Sequence, residues 1–123
     1  MNGNPVMSDT NPLIYLLNGS KIAADYLNGK QVWISFITEL ELFAKKGLTK
    51  GEIREIEFLT ESCNIADMNS EIKKITKYLL QITKIKLPDA IIAATAIYLD
   101  LPLLTFDNDF SQIPELKLFI LEK

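Results

Sequence analysis

The sequence predicts an α/β domain, a three-layer sandwich around a central, mainly parallel sheet. Three observations carry this reading. Along the chain, apolar residues switch repeatedly between strand-like and helix-like spacing. The resulting order, β-αα-β-αα-β-αα-β-β, places helices between successive strands, and such crossovers imply parallel pairing with helices on both sheet faces. A length of 123 residues suits one domain, residues 1–123, with room for a real core but not for a second.

Each element has its own local reason. Pro5 to Ser8 is a first strand whose apolar members are Val6 and Met7. Asp9-Thr10-Asn11-Pro12 reads as a turn opening a helix, with Asn11 as N-cap and Pro12 at the first helical position. Leu13, Ile14, Leu16 and Leu17 supply that helix's apolar surface, and Asn18-Gly19-Ser20 ends it. A short helix spans Ala23 to Leu27, stopped by Asn28-Gly29. Gln31 to Ser35 (QVWIS) is β-branched and aromatic, hence a strand. A helix from about Phe36 to Lys46 follows, ended by Gly47. Thr49-Lys50-Gly51-Glu52 has capping-box spacing and opens a helix with Ile53, Ile56 and Leu59 inward. Cys63 to Asp67 is a short strand. Ile72, Ile75, Leu79 and Ile82 mark a long amphipathic helix. Pro88 to Tyr98 is apolar nearly all round, which marks a buried helix. Leu103 to Phe106 and Leu116 to Leu121 are the last two strands.

Composition narrows the chemistry. There is no histidine, which removes His-based acid–base catalysis, Ser-His-Asp and Cys-His nucleophiles, and every His-containing metal site. The single cysteine, Cys63, has no partner for an internal disulfide or a zinc site and reads as a core thiol. The start, Met-Asn-Gly-Asn-Pro, lacks the basic and apolar regions of a secretory leader, and no apolar run is long enough to span a bilayer. A cytoplasmic protein with no membrane contact is expected. A formal charge of −3 and a pI near 4.9 argue against nucleic-acid binding when taken alone, since phosphate contacts need Lys and Arg. A bound divalent ion would offset negative charge locally. The basic residues also cluster, as Lys45, Lys46, Lys50 and Arg54, then as Lys73, Lys74, Lys77, Lys84 and Lys86. Both stretches are candidate phosphate contacts, although surface lysines more often serve solubility.

Four acids stand where strand-like runs give way to helix-like ones: Asp9, Glu39, Asp89 and Asp107. The carboxyl ends of parallel strands share one edge of the sheet, where ligands bind. Carboxylates meeting there repel one another and need a cation. Each has a bland reading beside it. Asp9 suits a turn satisfying backbone N–H groups, and Asp89 suits a helix first turn, where the dipole favours it. Glu39 and Glu41 flank the apolar face of their helix equally. Glu41 has Lys45 four residues on, a favourable surface pair, which leaves Glu39 as the functional choice. Asp107 is nearer its strand than Asp109, which is expected to share or replace its role. All-oxygen ligands suit Mg²⁺ or Mn²⁺.

At these residues the sequence resembles a known family. DTNPLIYLL (9–17), SFITELELF (35–43), LPDAIIAATA (87–96) and LLTFDNDF (103–110) are together similar to PIN domains, and more narrowly to VapC-type toxin ribonucleases of toxin–antitoxin pairs. The resemblance runs nearly end to end and keeps the order and spacing of four motifs. It departs in a more polar first strand and in the acidic pI with a single arginine. The resemblance implies a Mg²⁺- or Mn²⁺-dependent endoribonuclease that hydrolyses phosphodiesters with metal-bound water. It carries the catalytic and metal-ligand roles onto Asp9, Glu39, Asp89 and Asp107, with Asn11 and Thr105 shaping the pocket. It further implies tRNA or rRNA substrates, a homodimer, and a cognate antitoxin whose tail fills the groove. Two other enzyme classes with acids at strand ends fit poorly. A haloacid-dehalogenase phosphatase needs Asp where Asn11 stands, and a receiver domain's acidic pair and late lysine are absent. The alternatives to a toxin are a catalytically silent PIN-fold binding module and an RNA-processing nuclease outside any toxin–antitoxin pair.

Overall fold

Val6 and Met7 are neighbours in the first strand, Pro5–Ser8 (β1), yet they belong to different halves of the core. Side chains alternate across a strand, so β1 feeds both faces of the sheet. Leu103 and Leu104 do the same in Leu103–Thr105 (β4). The structure, a computed structural model, describes residues 3–122. Met1 and Asn2, which enter the reading of the amino terminus as lacking a leader, lie outside the described residues, as does Lys123.

The sheet contains β1, Gln31–Ser35 (β2), Asn64–Ala66 (β3), β4 and Leu118–Ile120 (β5), in the order β3-β2-β1-β4-β5. Every pairing is parallel. The remaining elements are the helices Thr10–Leu17 (α1), Lys21–Leu27 (α2), Phe36–Leu42 (α3), Lys50–Glu61 (α4), Ser70–Ile82 (α5) and Leu87–Leu99 (α6). One half of the core joins Met7 and Leu103 to Ile72 and Leu79 of α5 and to α6; the other joins Val6, Ile34 and Leu104 to Leu13, Leu42 and Ile56 of α1, α3 and α4. This is the expected three-layer α/β sandwich. Among the described residues no helix is long and apolar enough to cross a membrane.

Several local expectations hold in atomic detail. The α4 capping box is complete, with the Thr49 hydroxyl accepting from the Glu52 N–H and the Glu52 carboxylate accepting from the Thr49 N–H, each at 3.0 Å. Helix α6 is buried from Ala90 to Ala96. Position 3 admits only glycine, because a β-carbon there would overlap the Gly29 carbonyl.

Other boundaries differ. The N-cap of α1 is Asp9, not Asn11, because the Asp9 carboxylate accepts from the Thr10 N–H; Pro12 falls within the first turn instead of opening it. Helix α3 ends at Leu42, four residues earlier than expected, where the Phe43 and Ala44 N–H groups bond the Leu40 and Glu41 carbonyls and tighten the turn. Ile82 is 48% exposed at the end of α5. Cys63 is half-buried against the α4 side of the core, and burial pushes its thiol pKa up. The last two strands are not directly joined, since a 3₁₀ turn, Asn108–Gln112, intervenes.

That turn is anchored by Phe110, which is fully buried. It opens on Asp107, so its anchor also holds Asp107 at the sheet edge. Replacing Phe110 with Ala should lower stability by about 3–5 kcal/mol, the range for a deleted core aromatic. Urea unfolding checks this, and a change under ~1 kcal/mol would contradict the anchoring role.

A candidate metal centre at the switch point of the sheet

From β1 the chain builds the sheet outward through β2 and β3, then returns to place β4 on the other side of β1. The switch point is therefore the boundary between β1 and β4, where open α/β folds bind ligands. Asp9 leaves β1 there. Its N–H donates to the Leu104 carbonyl of β4 at 2.9 Å, continuing the ladder one residue past the strand. The Asp9 side chain is buried, and each oxygen accepts one hydrogen bond: Oδ1 from the Thr10 N–H at 2.8 Å and Oδ2 from the Thr105 hydroxyl at 2.7 Å. Each keeps a lone pair for another partner.

Thr105 is the connector. Fully buried at the end of β4, it donates to Asp9 and accepts from the Asp107 N–H at 3.0 Å. Asp107 in turn caps the 3₁₀ turn by accepting from the Asp109 N–H at 2.8 Å. Asp109 is exposed and meets the site through its backbone alone, whereas the Asp107 charge acts on both Asp9 and Asp89.

The glutamate brought into this group is Glu41. Its Oε1 lies 2.6 Å from the Thr10 hydroxyl, which is 3.0 Å from the Thr38 hydroxyl. An ionised carboxylate only accepts, so Thr10 gives its one proton to Glu41 and accepts from Thr38. Thr38 and Glu41 are three apart on α3 and so share a face. Glu39 is half-buried in the first turn of α3 and is not among the principal charges acting on Asp9 or Asp89. The surface pairing that favoured Glu39 does not form. Helix α3 stops before Lys45, and Lys45 pairs instead with Glu52 at 3.6 Å. Thr10 and Thr38 were not singled out from sequence, but T-x-x-E on one helical face was the available signal. Asn11 is exposed, and its side chain forms no hydrogen bond among the described residues.

Asp89 sits half-buried in the first turn of α6, whose N-terminus has no side-chain cap. Burial, then the charges of Asp9, Asp107 and Glu41, push its carboxyl up to about 6; Lys86 alone among the principal charges opposes the rise. Asp9 is raised too, chiefly by burial, against the two hydrogen bonds that favour its ionised form. The site thus holds four carboxylates and one nearby lysine. Such a donor set, all oxygen and short of positive charge, fits a hard divalent cation. Among the described residues no three carboxylates are already close enough to hold an ion together, and Mg²⁺ characteristically needs only one or two beside its waters.

The residues from 6 to 116 match the family model described as PIN domain. The chain belongs to the PIN domain family. Among solved structures, a toxin–antitoxin complex from Klebsiella pneumoniae is 34% identical, with a TM-score of 0.80 over 90% of this chain and 94% of that one. VapBC-1 from nontypeable Haemophilus influenzae is 30% identical, with a TM-score of 0.79 over 94% of this chain and 97% of that one. DNA-bound VapBC from Salmonella typhimurium shares the fold at 21% identity, with a TM-score of 0.84 and 98% of both chains covered. Among curated proteins no sequence matches significantly.

A raised Asp89 pKa fixes the sign of a stability effect. Between its unfolded value of 3.8 and about 6 the folded PIN domain binds the extra proton, so metal-free stability falls as pH rises through that window. Asp89→Asn should therefore gain about 1 kcal/mol at pH 7.5, discounted for solvent screening of a half-exposed group, and nothing at pH 4. Chemical denaturation in EDTA at both pH values measures this. Equal effects at the two values would refute the proposed repulsion.

Proposed function

We propose that this PIN domain is a VapC-like toxin: a Mg²⁺- or Mn²⁺-dependent endoribonuclease controlled by a cognate antitoxin. The observation that carries the reading is the convergence of Asp9, Glu41, Asp89 and Asp107 with little positive charge among them. Membership of the PIN family and likeness to toxin–antitoxin complexes at 30–34% identity support it. A homodimer and a structured RNA substrate belong to the same proposal.

In this reading Asp9, Glu41, Asp89 and Asp107 would hold the ion. When bound, the ion would supply Lewis-acid chemistry and a more acidic water there. The protein's own part is positioning. Thr105 orients Asp9 and draws the Asp107 backbone toward it, while Thr38, through Thr10, orients Glu41. Asp89, neutral below about pH 6 and ionised above, is the group whose protonation competes with the ion near neutrality.

The choice of glutamate makes the decisive test. Cleavage of RNA in Mg²⁺ should vanish with EDTA and fall about a hundredfold or more in Asp9→Asn, Asp89→Asn and Glu41→Gln. Glu39→Gln should stay within about threefold of the unaltered protein. Products should carry 5′-phosphate and 3′-hydroxyl ends; 2′,3′-cyclic phosphate would point to attack by the substrate's own 2′-hydroxyl. Loss in Glu39→Gln with retention in Glu41→Gln would overturn the assignment.

Proton competition gives a second expectation, independent of turnover. Mn²⁺ affinity by calorimetry should fall below pH 6, by up to about tenfold per pH unit for each proton displaced. Affinity flat from pH 5 to 7.5 would remove Asp89 from the ion's shell. Thr10→Val should weaken Mn²⁺ about 10–100-fold without unfolding the chain, the usual effect of removing a ligand's orienting partner.

A further inference from the structure

Charge is unevenly divided along the chain. Residues 70–88 hold Lys73, Lys74, Lys77, Lys84 and Lys86 against the single acid Glu71, a net of +4. The remaining residues hold eight basic and fifteen acidic side chains, a net of −7, within a total of −3. All five lysines are exposed, and none forms an ion pair among the described residues; Lys21, Lys45 and Lys117 do. The other basic stretch is different in kind. Lys45, Lys46, Lys50 and Arg54 are interleaved with Glu52, Glu55, Glu57 and Glu61, and Lys45 is committed to Glu52.

The fold ties the basic segment to the site. Helices α5 and α6 pack together and are joined by residues 83–86 alone, so they run antiparallel. The C-terminal end of α5 therefore adjoins the N-terminus of α6, where Asp89 stands. The link is held in place. The Thr83 hydroxyl donates to the Leu79 carbonyl at 2.8 Å and accepts from the Ile85 N–H at 3.2 Å; the Lys84 N–H donates to Gln112 Oε1 at 3.0 Å; Ile85 is buried. Lys86 is the cation already acting on Asp89. Lys73 and Lys77 lie one turn apart on one face of α5, the farther of them about 14 Å from its C-terminal end.

We propose that this segment is the surface along which an unpaired stretch of the structured RNA reaches the acidic cluster. Lys84 and Lys86 hold the phosphates beside the site, and Lys73 and Lys77 hold those farther along α5. The proposal rests on the ribonuclease reading and deepens it. A polyanion is repelled by four carboxylates, and an ion at the site offsets this only locally. Flanking phosphates need cations that are not already neutralised, and residues 73–86 supply them.

The test is equilibrium binding of a fluorescein-labelled 20-nucleotide RNA to the full chain in EDTA, from 25 to 200 mM KCl. No ion-dependent cleavage occurs under that condition. The slope of log affinity against log salt should drop by about 0.7 for each lysine replaced by Gln, hence by about 1.4 in Lys84→Gln/Lys86→Gln and about twice that with Lys73→Gln/Lys77→Gln added. Thermal melting should be unchanged, and the pair Lys21→Gln/Lys30→Gln should keep the original slope. The proposal is overturned if the quadruple variant keeps the slope and affinity, if the Lys21/Lys30 pair loses as much, or if poly-glutamate competes as well as RNA. Mg²⁺-dependent cleavage by the unaltered protein is measured separately. Its absence would remove the nuclease reading and leave the binding result standing.

Discussion

The Thr105 hydroxyl occupies the one place where β1 and β4 part, and its single proton goes to Asp9. The two strands are neighbours in the sheet although Leu103 of β4 comes 94 positions after Asp9. Their junction depends on parallel pairing continuing through the Asp9 N–H to Leu104. Once that bond is made, the remaining positions follow. Thr105 meets Asp9, the Asp107 N–H meets Thr105, and Asp9 becomes the cap that starts α1. The Thr10 side chain is thereby presented to α3 and Glu41. A buried carboxylate is tolerable here because two donors favour its ionised form, though burial still raises its pKa.

Helix α6 contributes the opposing requirement. Its run of Ala and Ile packs against the sheet, and its buried Thr95 hydroxyl is satisfied within the helix by the Ile91 carbonyl, so the first-turn Asp89 is left facing other carboxylates. The helix dipole favours an anion at that end, but the neighbouring acids and partial burial outweigh it in the net pKa. The site thus keeps repelling carboxylates together, held by packing around it. Conflict between local charge and global fold is expected where function, rather than stability, sets the sequence.

Much of this was legible in the sequence because it followed from periodicity and caps. The QVWIS strand and the Thr49–Glu52 capping box rest on local chemistry, and both stand where expected. The gathering of Asp9, Asp89 and Asp107 at one edge followed from parallel topology. What failed was the decision that depended on where α3 stops. Treating α3 as running to Lys46 turned Glu41 into half of a surface pair with Lys45. In the folded chain that pair has no helix to form on, and Lys45 goes to Glu52. Likewise, Asn11 reads as a cap because Pro12 suits the first helical position, whereas Asp9 both caps the helix and accepts from Thr105. Residues with two simultaneous roles are the hardest to assign from spacing alone.

The acidic pI, at first an objection to nucleic-acid binding, loses its force once charge is placed in space. Net charge describes the far field, which at physiological salt is screened beyond about 8 Å. A ligand as extended as RNA meets charges a few at a time, so the sign of the surface next to the site matters more than the total. Here the excess of acid is distributed over the rest of the chain, including α4, where Lys50 and Arg54 stand against four glutamates. The lysines of α5 and its link form no ion pair among the described residues, and their segment leads directly to Asp89. Four acids without that neighbouring surface could hold an ion, but would do little to retain a polyanion while it is cut.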